Sequence, residues 1–368
     1  MKIQAALITA PHQPLQIETL DLAPPQAGEV LVRLVACGVC HSDWHLVTGA
    51  TKHPLPVVPG HEGAGIVEAV GEGVTRVKPG DHVVLNWAPC CGHCFYCLRG
   101  KPNLCDTFIG PVWAGVMLDG TPRLSWNGNP VYHYSALAAL AEFSVVPEPC
   151  CVPIRADVPL SVAALVGCAV TTGVGAALYT AAVQPGDSVA VFGCGGVGLS
   201  ILMGAQLAGA ARIIAVDKSA KKLELAKMFG ATHTVNVAEE DGVSAIRQIT
   251  GGRGAEITFE AVGVPQLQVE CVEAARPGGK AVFVGLSAMG SVTPLSGATL
   301  ARQEKTVLGS YYGTANTARD FPFILDLYVA KKLNLDALVS QTYRLPQINE
   351  ALAAMLSGDV ARGVVVFP

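Results

Sequence analysis

Four cysteines, Cys91, Cys94, Cys97 and Cys105, fall in the run CGHCFYCLRGKPNLC, and their C-x2-C-x2-C-x7-C spacing constrains the fold of this 368-residue chain more than any other feature. Loops that short bring four soft thiolates around one point, the donor set of a tetrahedral zinc, and four of them close the coordination sphere. Such a site is structural, so any chemistry lies elsewhere in the chain. The competing reading, unrelated buried thiols or a disulfide pair, fits the short loops poorly. Cys90 precedes the run and could replace Cys91; Cys91 is preferred because it keeps both C-x2-C steps intact.

The length points to two domains. A net charge of -4 with no basic block argues against a nucleic-acid or anionic-membrane partner, and for a small metabolite as ligand. The opening MKIQAALITAPHQPLQIETL is neither a charged-then-apolar signal peptide nor an Arg- and Ser-rich transit peptide, so a cytoplasmic location is expected. Mean hydropathy is high, at +0.41. The most apolar stretch, residues 161–183, is interrupted by polar and Gly residues and ends at a Gln-Pro-Gly turn, so it reads as a buried helix of an Ala- and Val-rich enzyme. Twelve cysteines without an export signal favour metal ligation and buried thiols over disulfides. Cys37, Cys150, Cys151, Cys194 and Cys271 read as small core residues.

From residue 29 to 83 short alternating segments, EVLVRLVACGV, GHEGAGIVEAVG and VKPGDHVVL, are separated by Gly and Pro. They imply an irregular β-rich region from which the cysteine lobe projects as a loop. Residues 116–140 turn from polar and Gly-rich to Ala-rich and read as an insertion near the cleft. After Pro185 apolar runs alternate with amphipathic stretches: DSVAVFG before VGLSILMGAQLAG, ARIIAVD before KKLELAKMFGA, then AEITFEAVG and KAVFVGL. That rhythm predicts an α/β domain, a parallel sheet covered by helices on both faces. It fades beyond Gly309, and the closing GVVVFP reads as a strand returning to the first domain. The expected division is 1–169 with 311–368 as one domain and 170–310 as the other.

Gly193-Cys194-Gly195-Gly196-Val197-Gly198 is a G-x-G-x-x-G between a strand pattern and a helix pattern. Alone it could be a tight Gly turn. Asp217, which ends the next strand at 217 minus 198, or 19, residues beyond the last Gly, makes it a dinucleotide fingerprint. The glycines permit close backbone approach, and the helix N-terminus offers N–H groups to a pyrophosphate. A carboxylate at Asp217 accepts ribose hydroxyls and repels a ribose phosphate, so NAD is preferred over NADP, although Lys218 beside it leaves NADP open. Lys222 either faces the adenosine ribose or is a solvated helix charge.

Three further segments carry a resemblance: Gly38-Val39-Cys40-His41-Ser42-Asp43-Trp44-His45, Gly60-His61-Glu62-Gly63 and Gly167-Cys168-Ala169-Val170-Thr171-Thr172-Gly173. With the four-cysteine lobe and the dinucleotide motif, in that order, the chain resembles the zinc-containing medium-chain alcohol dehydrogenases over essentially its whole length. The resemblance implies a GroES-like catalytic domain and a doubly wound Rossmann domain. It implies that Cys40, His61 and Cys168 hold a catalytic zinc with one position left for a substrate oxygen. Two thiolates and a neutral imidazole balance the dication, which then acts as a Lewis acid. Glu62 would lie behind the metal and bind it transiently, and Asp43 would orient His61 through its second ring nitrogen.

The same resemblance implies a proton path in which Ser42 takes the alcohol proton and passes it through the nicotinamide ribose to His45, near solvent. Thr172 would contact the cofactor. His41 stands where many relatives have an arginine facing the pyrophosphate, a weaker and pH-dependent contact, and Arg362 would grip that phosphate. Trp87 matches a pocket-wall position and favours a planar or primary, apolar alcohol. Trp44 and Trp113 reach the cleft or belong to the core. Thiol-adduct formaldehyde dehydrogenases use an acidic residue and an arginine where this chain has Thr51-Lys52-His53 and Phe108-Ile109. Residues 119–132 resemble the bacterial aryl and nicotinoprotein branch, in which NAD can stay bound through turnover, and a homodimer is expected. The leading reading is a zinc- and NAD-dependent primary alcohol dehydrogenase with two zinc ions per chain. The alternatives are a nicotinoprotein oxidoreductase or a thiol-adduct formaldehyde dehydrogenase. The intact Cys40, His61, Cys168, Ser42 and His45 oppose a non-catalytic nucleotide-binding protein.

Overall fold

The computed structural model describes residues 1–358 and 360–368. They form two compact units, Met1–Cys168 with Asn316–Pro368, and Ala169–Ala315.

The first unit is irregular and β-rich. Its larger sheet is built round the strand Glu29–Gly38. That strand pairs antiparallel with Glu62–Val70, with Phe143–Pro147 and with the C-terminal Arg362–Val366. Period two in EVLVRLVACG sends Val30, Val32, Leu34 and Ala36 into the core, while Leu31, Arg33 and Val35 stay half-exposed. The pattern stops at Ala36-Cys37-Gly38, which is buried throughout. That is the end of the strand from which the first metal-ligand candidate follows.

A smaller sheet runs in the order Lys2–Leu7, Gln16–Leu22, Leu124–Trp126, Asn129–His133, Val57–Val58. Part of the stretch 116–140 therefore belongs to a sheet, as a β-hairpin. Asn127 (φ 52) and Gly128 (φ 78) form its two-residue turn, between the paired Trp126 and Asn129. Both are left-handed, as a tight Asn-Gly turn requires. Buried Arg123 ties the hairpin down: Nε and Nη2 donate to Glu29 Oε2 and Oε1 at 2.9 and 2.6 Å, and Nη2 to Asp119 Oδ2 at 2.7 Å. The polar, Gly-rich composition hid these strands because they are only 3 and 5 residues long.

The second unit is a doubly wound α/β fold. Its six parallel strands run His233–Asn236, Arg212–Asp217, Ser188–Phe192, Ala255–Glu260, Ala275–Phe283, Thr306–Gly309. In chain order that is third, second, first, fourth, fifth and sixth. The direction of winding reverses between Ser188–Phe192 and Ala255–Glu260, and in such sheets ligands lie outside the carboxyl ends of the strands at that reversal. Ser188–Phe192 is buried at every position, as a strand covered on both faces must be.

The apolar stretch singled out in the sequence is a helix, Leu160–Thr180, and 94% of its most apolar window is buried inside the protein. Two π-helical segments, Val166–Val170 and Ala176–Thr180, interrupt it.

Candidate active site

The short helix His41–Val47 starts just after the central strand ends. Asp43 in its first turn folds back over the helix start. Its Oδ2 accepts from the Cys40 N–H at 3.3 Å, and its Oδ1 from the Gly60 N–H at 2.9 Å and from His61 Nδ1 at 3.2 Å. One buried carboxylate thus fixes two ligand-bearing segments and sets the His61 tautomer, with the proton on Nδ1 and the lone pair on Nε2. His61 Nε2 is buried with no conventional hydrogen-bond partner. Gly60 is needed for this approach: its φ is +93, and a β-carbon there would stand 2.4 Å from the Leu140 amide nitrogen. The remaining thiol, Cys168, lies in the π segment Val166–Val170, a distortion that recurs at functional sites.

One potential ligand atom from each of Cys40, His61, Glu62 and Cys168 lies within 4.8 Å of the others, and all four residues are buried. A hydrogen bond with Cys168 holds Cys40 well below the usual thiol range, and the same contact together with burial pushes Cys168 up. Burial opposes a charge on His61, but Asp43 and Cys40 outweigh it and hold that histidine well above its ordinary value. Burial raises Glu62 to about 7 against the opposing pull of Arg362. Glu62 Oε2 is hydrogen-bonded by Arg362 Nη2, while Glu62 Oε1 has no partner. Two thiols, one imidazole nitrogen and one carboxylate oxygen converge beside the Arg362 guanidinium. That donor set fits zinc.

Ser42 and His45 are both half-buried and lie three residues apart on the helix His41–Val47, hence on one face; His41 is exposed. Arg362 is buried and donates from Nη2 to Glu62 Oε2, while its Nε has no partner. An aromatic ring lies beside the cluster. Tyr134 stands edge-on to His61, ring centroids 5.4 Å apart, and edge-on to His53 at 5.7 Å. Trp87 and Trp44 are half-buried against the apolar core that contains Tyr134. Nothing local in YHYSALAAL singles out Tyr134; its place follows from tertiary contacts alone. Trp113 and Ile109 are exposed, and Phe108 is buried under the cysteine lobe.

The lobe itself brings together the sulfurs of Cys91, Cys94, Cys97 and Cys105, again within 4.8 Å of one another. Backbone N–H groups of Cys94 and Cys91 donate to the sulfurs of Cys91 and Cys105, both at 3.3 Å. A hydrogen bond from Thr107 leads those that lower Cys91 to about 5, while burial pushes Cys97 up to about 12. Cys90 lies against the same small core of Cys105, Phe108, Val112 and Ala136 but outside the four-sulfur cluster.

In the second unit the glycine loop follows Ser188–Phe192 and leads into the helix Gly196–Leu207. Gly193 has φ +97, and a β-carbon on Gly198 would stand 1.8 Å from the Gly193 carbonyl oxygen. Gly195 is the N-cap of the helix, Gly196 begins it, and Val197 is half-buried. Asp217 braces the loop: Oδ2 accepts from the Cys194 N–H at 2.8 Å and Oδ1 from the Ser219 N–H at 3.0 Å. Lys222 is half-buried in the first turn of the following helix, Ala220–Lys227. Thr172 is buried and its hydroxyl has no partner. A glycine-lined helix N-terminus, a carboxylate at the next strand end and a waiting hydroxyl fit a dinucleotide.

The chain matches two family models, the alcohol dehydrogenase GroES-like domain over residues 26–156 and the zinc-binding dehydrogenase over residues 196–330. It is 40% identical to S-(hydroxymethyl)glutathione dehydrogenase of Escherichia coli O6:H1, over 99% of this chain and 100% of that protein. Among solved structures it is similar to an alcohol dehydrogenase zinc-binding domain protein from Burkholderia ambifaria, at 36% identity and a TM-score of 0.95, covering 100% of this chain and 99% of that one. It is equally similar to benzyl alcohol dehydrogenase from Acinetobacter calcoaceticus, at 34% identity and a TM-score of 0.95 with both chains fully covered. With both domain families matched and both sets of candidate metal ligands brought together, the chain belongs to the zinc-containing medium-chain alcohol dehydrogenases and is an NAD- and zinc-dependent oxidoreductase.

Proposed function

We propose that this enzyme reversibly oxidises a primary, apolar or aromatic alcohol to its aldehyde with NAD, using residues 1–169 and 311–368 for the metal chemistry and 170–310 for the cofactor. The observation that supports the substrate class is the Tyr134 ring edge-on to His61, with Trp87 and Trp44 half-buried against the same apolar core. A flat apolar substrate gains from ring contacts there, and a charged one loses hydration without compensation. When bound, zinc would polarise the alcohol oxygen and NAD would accept the hydride.

The protein groups then have distinct tasks. Cys40, His61 and Cys168 hold the metal, Glu62 stands by as a further oxygen donor, and Asp43 keeps the His61 lone pair aimed at the cluster. Ser42 removes the alcohol proton, and His45 releases it to solvent. Thr172, Gly193, Gly195, Gly196, Val197, Gly198, Asp217 and Lys222 bind NAD, with His41 and Arg362 on the pyrophosphate side. Cys91, Cys94, Cys97 and Cys105 hold the structural zinc. A cytoplasmic homodimer is the form in which we place this activity.

A second reading, oxidation of a glutathione–formaldehyde adduct, is favoured by the 40% identity to S-(hydroxymethyl)glutathione dehydrogenase. A third, a nicotinoprotein that never releases NAD, gives a distinct time course. Purified enzyme with excess NAD and benzyl alcohol should accumulate NADH over many turnovers, faster than with the adduct. A burst no larger than the enzyme concentration would favour the nicotinoprotein, and adduct oxidation without benzyl alcohol oxidation would overturn the proposed substrate class.

A further inference from the structure

Glu260 ends the strand Ala255–Glu260 and pairs in register with Phe192, so it borders the crevice where the winding of the sheet reverses. It is fully buried. Burying a carboxylate is costly unless hydrogen bonds compensate, so its presence calls for a task. Its Oε1 accepts three backbone N–H groups in succession, from Val262 at 2.8 Å, Gly263 at 2.7 Å and Val264 at 3.4 Å. Its carbonyl oxygen accepts two more, from Val284 and Gly285, each at 2.9 Å. One residue thereby holds the loop that follows its own strand and the loop that follows the neighbouring strand.

Those loops interlock with the glycine fingerprint without slack. A β-carbon on Gly193 would stand 2.4 Å from Val262 Cγ2, and one on Gly285 would stand 2.1 Å from the Gly263 nitrogen. Gln268 extends the polar support outward by donating from Nε2 to Ser287 Oγ at 2.9 Å. Held in this way, Val262 and Val264 stay 49% and 41% exposed at the carboxyl ends of the strands. Apolar side chains left open at that edge suit the flat face of a base.

We propose that Glu260 is a positioning residue for NAD, its carboxylate clamping residues 262–264 against the glycine loop so that Val262 forms an apolar wall of the dinucleotide cradle. The inference rests on the NAD reading above and adds a residue to it. The carboxylate touches no cofactor; it acts through the backbone it orders.

The test uses the zinc-loaded enzyme and direct NADH binding by fluorescence titration. Glu260→Gln keeps an oxygen that can accept the three N–H groups and should leave the NADH Kd within about twofold of wild type. Glu260→Ala should raise that Kd about tenfold, which corresponds to about 1.4 kcal/mol, and raise KM for NAD with kcat little changed and both zinc ions retained. A folded Glu260→Ala enzyme with a wild-type NADH Kd would overturn the inference, because a purely structural clamp would lower Tm without moving Kd. Should Glu260→Ala fail to fold, amide exchange in the wild type decides: Val262, Gly263 and Val264 should exchange more slowly when NADH is bound, and unchanged rates would overturn it. A wild type that binds no NADH overturns the NAD reading and this inference together, whereas normal wild-type binding beside an unaffected Glu260→Ala overturns the inference alone.

Discussion

Gly38 and Glu62 lie so close that a β-carbon on Gly38 would stand 2.0 Å from the Glu62 Oε2 atom. The metal-site carboxylate presses on bare backbone on one side and is hydrogen-bonded by Arg362 on the other. Gly38→Ala should therefore displace Glu62 or strain the central strand, at a cost of about 1–3 kcal/mol. Thermal unfolding should show a Tm several degrees lower, together with weakened zinc retention; an unchanged Tm and metal content would contradict the packing described here.

Asp43 supports His61, Gly60 and Cys40 at once. Asp43→Ala should weaken zinc at the Cys40–His61–Cys168 cluster about 10–100-fold, the usual effect of losing a group that orients a metal ligand. Competition with a chromophoric chelator should then separate two classes of zinc, with the four-cysteine lobe unaffected.

Gly198→Ala places a β-carbon 1.8 Å from the Gly193 carbonyl oxygen, and backbone cannot swing aside as a long side chain can. The glycine loop must open, and NADH affinity should fall at least about tenfold, or 1.4 kcal/mol. Fluorescence titration checks this, with unchanged zinc content as the control for folding of the other unit.

His133, which is not one of the metal-ligand candidates, gives a pH prediction. It is fully buried in the hairpin strand, and its Nε2 accepts from the Arg123 backbone N–H at 3.1 Å. Burial, with the Arg123 charge nearby, lowers its pKa from 6.5 to about 3. Between those values the unfolded chain binds more protons than the folded one, so stability rises with pH. The contribution is complete above the unfolded value of 6.5 and is lost as pH falls towards 3. In His133→Gln the fall of Tm with acidification over that window should be shallower than in wild type.

What the sequence made legible is the chemistry written in short spacing. The four-cysteine lobe and the strand–glycine–helix unit with Asp217 announce themselves because their ligands are local in the chain. Cys168 was reachable only through resemblance, since it joins Cys40 and His61 by tertiary folding and through a π segment that no local pattern signals. The hairpin at Asn127-Gly128 carried its turn signal, yet its short strands were masked by polar composition. The Arg123–Glu29 pair that anchors it spans 94 positions of sequence. Glu260 shows the same limit: FEAVG reads as the end of a strand, and only the folded backbone reveals that the carboxylate turns back onto three amides.

Zinc analysis of the wild type and of Cys40→Ser, each alongside NADH binding and alcohol turnover, tests the central claim most directly. Two zinc ions per chain in the wild type, one in Cys40→Ser, retained NADH binding and abolished turnover would bear out one structural and one catalytic site. A single zinc in the wild type, or a Cys40→Ser enzyme that still oxidises alcohol, would contradict it.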